Sequence, residues 1–190
     1  MGVQDDAGRV EPATLEEWAA WLASHHAGTR GVWLVSPRRA AERPFPYEEA
    51  VVEALRWGWV DSTQRPVDEQ RSMTWFAARR PGSVWTRNNK QRIARLEAEG
   101  RLEPPGADAV AAARASGMWT LMDGVEDLVV PADLAAALAE RPGARARFDG
   151  FPPSARKQAL AWIALAKRPG TRAARIAETA ARAAAGERAR

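Results

Sequence analysis

Trp59-Val60-Asp61-Ser62-Thr63-Gln64-Arg65, then Pro66-Val67-Asp68-Glu69, then Gln70-Arg71-Ser72-Met73-Thr74-Trp75-Phe76-Ala77-Ala78 is the stretch whose reading decides the fold. The outer pieces are rich in β-branched and aromatic residues, which fit a pleated, half-buried surface. The middle piece carries the Pro and Asp of a turn. Together they predict a strand over 59–65, a turn, and a returning strand over 70–78. Arg71, Met73 and Trp75 share one face of that second strand, because side chains alternate. Pairing of the two strands is expected to bring Asp61 near Arg71 or Met73.

Val32-Trp33-Leu34-Val35, stopped by Ser36-Pro37, adds a third short strand. Before it, Thr14-Leu15-Glu16-Glu17 is a capping box and predicts a helix start, with Leu15, Trp18, Leu22 and His25 on one stripe. Residues 38–46 form a basic, Pro-containing loop, and Tyr47 to Trp57 reads as a second helix closed by Gly58. After the hairpin come the loop Arg79-Arg80-Pro81-Gly82-Ser83, a helix from Thr86 to Glu99, an Ala-rich helix over 107–115 and a connector over 117–130. Pro131, Pro142, Pro152-Pro153 and Pro169-Gly170 then punctuate four helical pieces, over 132–140, 143–149, 154–168 and 171–186. Ser154 and Thr171 are the expected N-caps. In the last piece, Ala173, Ala177, Ala180 and Ala184 are expected to pack, opposite Arg172, Arg175 and Arg182.

The class is therefore α+β: a small, mainly antiparallel sheet packed with helices, followed by a C-terminal helical segment. The expected layout is a disordered lead-in over 1–12, an α+β core domain over 13–130, a helical module over 131–186 and a frayed tail over 187–190.

Composition narrows the chemistry. Nine Trp and 46% hydrophobic residues among 190 are enough to bury a core. The absence of Cys excludes disulfides, thiol catalysis and Cys-ligated metals. His25 and His26 are adjacent, so on a helix they point about 100° apart and do not share a metal. Asp123, Glu126 and Asp127 lack the spacing of a Ca²⁺ loop, and neither standard Gly-rich nucleotide loop nor a nucleophile elbow is present. No cofactor and no metal is expected. The formal charge is +4, mild for a nucleic-acid binder, and it is carried almost wholly by Arg. No run approaches the ~20 apolar residues of a membrane span. The start lacks the basic-then-apolar pattern of a secretory signal, so a cytoplasmic location is expected.

Three blocks carry a resemblance. They are Ala54-Leu55-Arg56-Trp57-Gly58-Trp59-Val60-Asp61-Ser62, the run from Phe76 through Trp85-Thr86 to Glu99-Gly100-Arg101, and Pro152-Pro153-Ser154-Ala155-Arg156-Lys157 with Trp162-Ile163 and the stretch from Ala166 to Ile176. In this order, over about residues 30–180, the chain resembles the YdeI/OmpD-associated family. The resemblance implies, by the family's name, a role in protection against bacteriocins and cationic antimicrobial peptides. It implies no reaction and no ligand. Gly170 departs from the family pattern, which commonly has a longer charged side chain there.

The site expected from the residues themselves gathers Asp61, Ser62, Arg71, Arg79, Arg80, Ser83, Trp85, Asn88 and Arg92. Arg forks, the Ser83 hydroxyl and the free N–H groups of the following helix start suit an anion. A small anionic ligand is thus the expected partner. The same residues also suit an Asp61–Arg ion pair with Ser83 capping the helix. Two further readings stay open: nucleic-acid binding, with Trp57, Trp59, Trp75 or Trp85 stacking on bases, and an enzyme using Asp61 as general acid or base.

Overall fold

The computed structural model describes Gln4 and residues 7–188; the remainder of the expected lead-in and tail, residues 1–3, 5–6 and 189–190, lies outside the described residues. The chain divides into two compact units, Met1–Ser83 with Asn88–Met118, and Val84–Arg87 with Trp119–Arg190.

In the first unit the elements run β1 (Arg9–Val10), α1 (Leu15–His25), β2 (Val32–Pro37), a 3-10 turn (Ala40–Glu42), α2 (Tyr47–Arg56), β3 (Trp59–Pro66), β4 (Arg71–Ala78), α3 (Arg87–Ala98, its first residue in the other unit) and α4 (Pro104–Ala115). The sheet order is β1-β2-β4-β3. β4 pairs antiparallel with both β2 and β3, as the hairpin reading requires. β1 lies parallel to β2, so the sheet is mixed rather than purely antiparallel. The physical reason is the connection: a strand that returns through helix α1 re-enters the sheet in the same direction. β1 falls within the stretch expected as lead-in.

Alternation sorts the sheet into two faces. Trp33, Val35, Met73 and Trp75 cluster on one, with Val67 and Ala77 packed beside them. Phe76 points to the other, where the Trp18 ring of α1 meets it edge-on at 5.4 Å. The Trp18 indole N–H donates to the Ala50 carbonyl of α2 at 3.1 Å, so this fully buried ring leaves no donor unsatisfied. At ~25 cal/mol per Å² over roughly 200 Å², burying such a ring contributes about 5 kcal/mol before entropy costs.

α1 starts as the capping box predicts: Thr14 Oγ1 accepts from the Glu17 N–H, while Glu17 reaches back to the Ala13 N–H. Glu53 of α2 is a buried carboxylate, 2% exposed, held between Arg56 and Arg101, and Arg56 also reaches Glu103 at 2.6 Å. α4 begins at Pro104, three residues earlier than expected. Gly106 permits this, because a Cβ there would stand 2.4 Å from the Arg56 carbonyl oxygen.

The second unit holds α5 (Asp123–Glu126), α6 (Ala132–Ala139), α7 (Ala144–Asp149), α8 (Pro153–Ala164) and α9 (Pro169–Ala185) around Leu134, Leu138, Phe148, Leu160, Ile163 and Ile176. Ser154 and Thr171 are not the N-caps; Pro152 and Arg168 hold those positions. Pro153 and Pro169 start each helix earlier, because proline's fixed φ and missing N–H suit the first helical position. α9 buries Ile176, Thr179, Ala180 and Ala183, whereas Ala173 and Ala177 are exposed. Ile176, the one large apolar side chain of α9, sets that rotation. Among the described residues no helix is long and apolar enough to cross a membrane.

Candidate functional site

The hairpin register separates residues that the sequence reading had placed together. Asp61 sits opposite Phe76, not beside Arg71 or Met73, and Met73 faces Arg65. Between the Asp61 and Gln64 pairs the register shifts by a bulge that takes up Ser62 and Thr63 and leaves both exposed. Arg71 opens β4 and Arg79 follows its last residue, so eight strand steps, roughly 26 Å, lie between them. Arg71 is engaged at its own end of the strand, with Asp68 at 2.8 Å and Glu11 at 3.0 Å. The Arg71 hydrogen bond in turn holds the Asp68 carboxyl below the ordinary aspartate range.

What does assemble is a cluster around Asp61. The Tyr47 hydroxyl, from the first turn of α2, donates to Asp61 Oδ2 at 2.6 Å. Burial, and then that hydrogen bond, push the Tyr47 phenol well above its ordinary range. Arg79 and Arg92 both lie within the electrostatic reach of Asp61. Arg92 forks onto Glu48 at 2.7 and 2.6 Å and donates to Asn89 Oδ1 at 2.7 Å. The Glu48 hydrogen bond raises the guanidinium's pKa, and Arg92 lowers that of Glu48. Asn88 and Arg92 line an open depression of about 320 Å³ with Glu48, Gln91 and Arg95. Its two arginines already carry carboxylate partners, Glu48 for Arg92, and Glu49 and Glu99 for Arg95.

The Arg79–Ser83 loop begins where the Arg79 N–H donates to the Gly58 carbonyl at 3.0 Å. It closes where the Ser83 N–H donates to the Arg80 carbonyl at 3.0 Å, with Gly82 at φ +84° completing a turn that a Cβ would strain. Arg79 is half-buried. Burial drives its guanidinium down to about 10, with Asp61 opposing the shift. Arg80 is exposed, and among the described residues no carboxylate pairs with it.

The N–H groups expected free at the following helix are not all free. The Arg87 N–H, at the start of α3, donates to both Glu126 oxygens at 3.0 Å, and Arg87 also pairs with Asp127. Trp85 belongs to the second unit, is buried, and packs against Trp119 at 5.0 Å, which removes it as a stacking platform. Sequence reasoning missed Tyr47 and Glu48 as site residues. Tyr47 lies 14 residues from Asp61 and Glu48 lies 44 from Arg92, so no local spacing announces either pair. Among the described residues no group of three or more His, Asp or Glu side chains stands ready for a metal.

By class this is a two-unit α+β protein whose C-terminal helical part, residues 127–186, matches the family model described as bacteriocin-protection, YdeI or OmpD-associated. Residues 10–109, more than half of the 190, match the model described as a domain of unknown function (DUF8412), and the chain belongs to that family. The expected YdeI/OmpD-associated resemblance thus holds for its third block. The first two blocks fall inside the DUF8412 region. No curated protein and no solved structure matches the chain.

Proposed function

We propose that the chain is a binding protein rather than an enzyme, serving in protection against bacteriocins or cationic antimicrobial peptides and holding a small anionic ligand at the Arg79–Ser83 loop. One observation carries the reading: two consecutive guanidinia share one short turn, Arg79 drawn half out of water beside Asp61 and Arg80 exposed without a carboxylate partner among the described residues. The bacteriocin-protection description of residues 127–186 supports the protective role. The reading places the protein in the cytoplasm.

The test is tryptophan emission and thermal shift against phosphate, nucleotides, short single-stranded DNA and RNA, and acidic lipid headgroups, each at low and moderate salt. A salt-tolerant response to one small anion, lost in Arg79→Ala and Arg80→Ala proteins that keep the native far-UV spectrum, is the expected result. A response to polymers alone, steeply weakened by salt, assigns the chain to nucleic acid instead.

A further inference from the structure

The basic loop after β2 makes a second concave feature in the first unit. A depression of about 370 Å³ opens there, walled by Arg38, Arg43, Gln64, Arg65, Pro66 and Ser72. Arg43 is fixed in place: its Nε donates to the Pro37 carbonyl at 3.1 Å, and its guanidinium lies 5.9 Å from the centre of the Tyr47 ring. Arg38 is exposed, and its side chain makes a long hydrogen bond, 3.5 Å, to the Glu69 carbonyl. Neither Arg38 nor Arg43 pairs with a carboxylate among the described residues, although Arg39 between them finds Glu42 at 3.2 Å.

Ser72, on β4, is only 5% exposed. Its Oγ accepts from Gln64 Nε2 at 3.3 Å, so its own proton is left to donate. Arg65 pairs across the hairpin with Met73 and so shares the opposite face from Ser72; its guanidinium lies 5.0 Å over Trp33. Arg65 therefore shapes the wall and is not counted as a donor.

We propose that this depression binds a phosphate-type oxyanion, the phosphate group of a small monoester, through Arg38, Arg43 and the Ser72 hydroxyl. The geometry favours phosphate over carboxylate. The donors come from three separate points of the chain, and a tetrahedral dianion with three terminal oxygens accepts from all of them. A planar carboxylate is saturated by one guanidinium fork. The site is separate from the Arg79–Ser83 loop and does not depend on it.

The experiment is a titration of the full ¹⁵N-labelled chain with inorganic phosphate at constant ionic strength, reading the Nε–Hε signals of Arg38 and Arg43. Both signals are expected to shift saturably, and acetate at the same ionic strength is expected to leave them in place. Arg38→Ala, at an exposed position, should keep the fold and weaken phosphate about tenfold, the usual effect of losing one charge-assisted hydrogen bond. Arg80→Ala should leave this binding unchanged. Unmoved signals, equal shifts with acetate, or phosphate binding that Arg80→Ala abolishes and Arg38→Ala spares would each overturn the proposal.

Discussion

Glu53→Ala is the sharpest test of how the first unit is held together. The carboxylate is 2% exposed and serves both Arg56, at 3.3 Å, and Arg101. Removing one partner of a buried ion pair costs about 3–5 kcal/mol when the other charge is left stranded. Here the strand is incomplete. Arg56 keeps Glu103, Arg101 keeps Glu99, and the two arginine side chains are already 27% and 34% exposed, so both can rehydrate. The loss expected is therefore about 2–3 kcal/mol, a large share of the ~5–15 kcal/mol that a domain commands. Urea unfolding followed by tryptophan emission reads it well. Trp18, Trp21, Trp33, Trp57, Trp59 and Trp75, six of the nine, lie in this unit and dominate the signal. With a slope of ~1–3 kcal/mol per M, the midpoint should fall by about 0.7–3 M. Arg101→Ala in the same background should cost less than it does alone, because the two residues share one interaction. A change below about 0.5 kcal/mol, or strict additivity of the pair, would refute the claim that this carboxylate organises α2 and the α3–α4 connection.

Two further outcomes follow from the second unit and from the Asp61 cluster. The Arg172 fork, at 2.7 and 3.0 Å, holds the Asp133 carboxyl below the ordinary aspartate range. Because the folded pKa is depressed, that stabilisation is present above the ordinary range and is lost as pH falls through the depressed value; thermal melts from pH 6 to pH 3 should show a shallower acid decline in Asp133→Asn than in the parent. Tyr47 is the chain's single tyrosine, so its absorbance titration belongs to one group and should begin above the ordinary ~10, while Tyr47→Phe, which leaves Asp61 without its 2.6 Å donor, should cost about 1–2 kcal/mol in denaturant melts.

Features set by local rules were legible in the sequence. The Thr14 capping box, the strand–turn–strand of 59–78, and the punctuation of the last third by prolines all rest on interactions a few residues long. The errors fall where a distant residue decides. The pairing of Pro66 with Ser72 at the turn already sets Asp61 near the far end of β4, away from Arg71 and Met73, and the bulge, which nothing in Asp61-Ser62-Thr63-Gln64 marks, shifts it one place, to Phe76. The partners of Arg92 and Arg101 in α2 lie 44 and 48 residues away. β1 is two residues long and exists only because β2 offers it an edge. The caps at Ser154 and Thr171 failed for a local reason: two good cap residues were outcompeted by a proline already fixed for the first helical position.

The placement of charge bears on what kind of partner suits this chain. Arginine is abundant, yet a good part of its positive charge is spent within the fold, on Glu48 and Glu49 by α3, on Glu53 and Glu103 by the α2 end, on Asp133 by α9. A polymer of phosphates needs a continuous basic track, since exposed charges more than about 8 Å apart act almost independently at physiological salt. The carboxylates that fork onto Arg92 and Arg95 interrupt such a track along α3. Among the described residues no carboxylate meets Arg38 and Arg43, in the wall of a depression, or Arg80, in a tight turn. A compact anion, as proposed for the Arg79–Ser83 loop, needs only such a local group of donors and no continuous track.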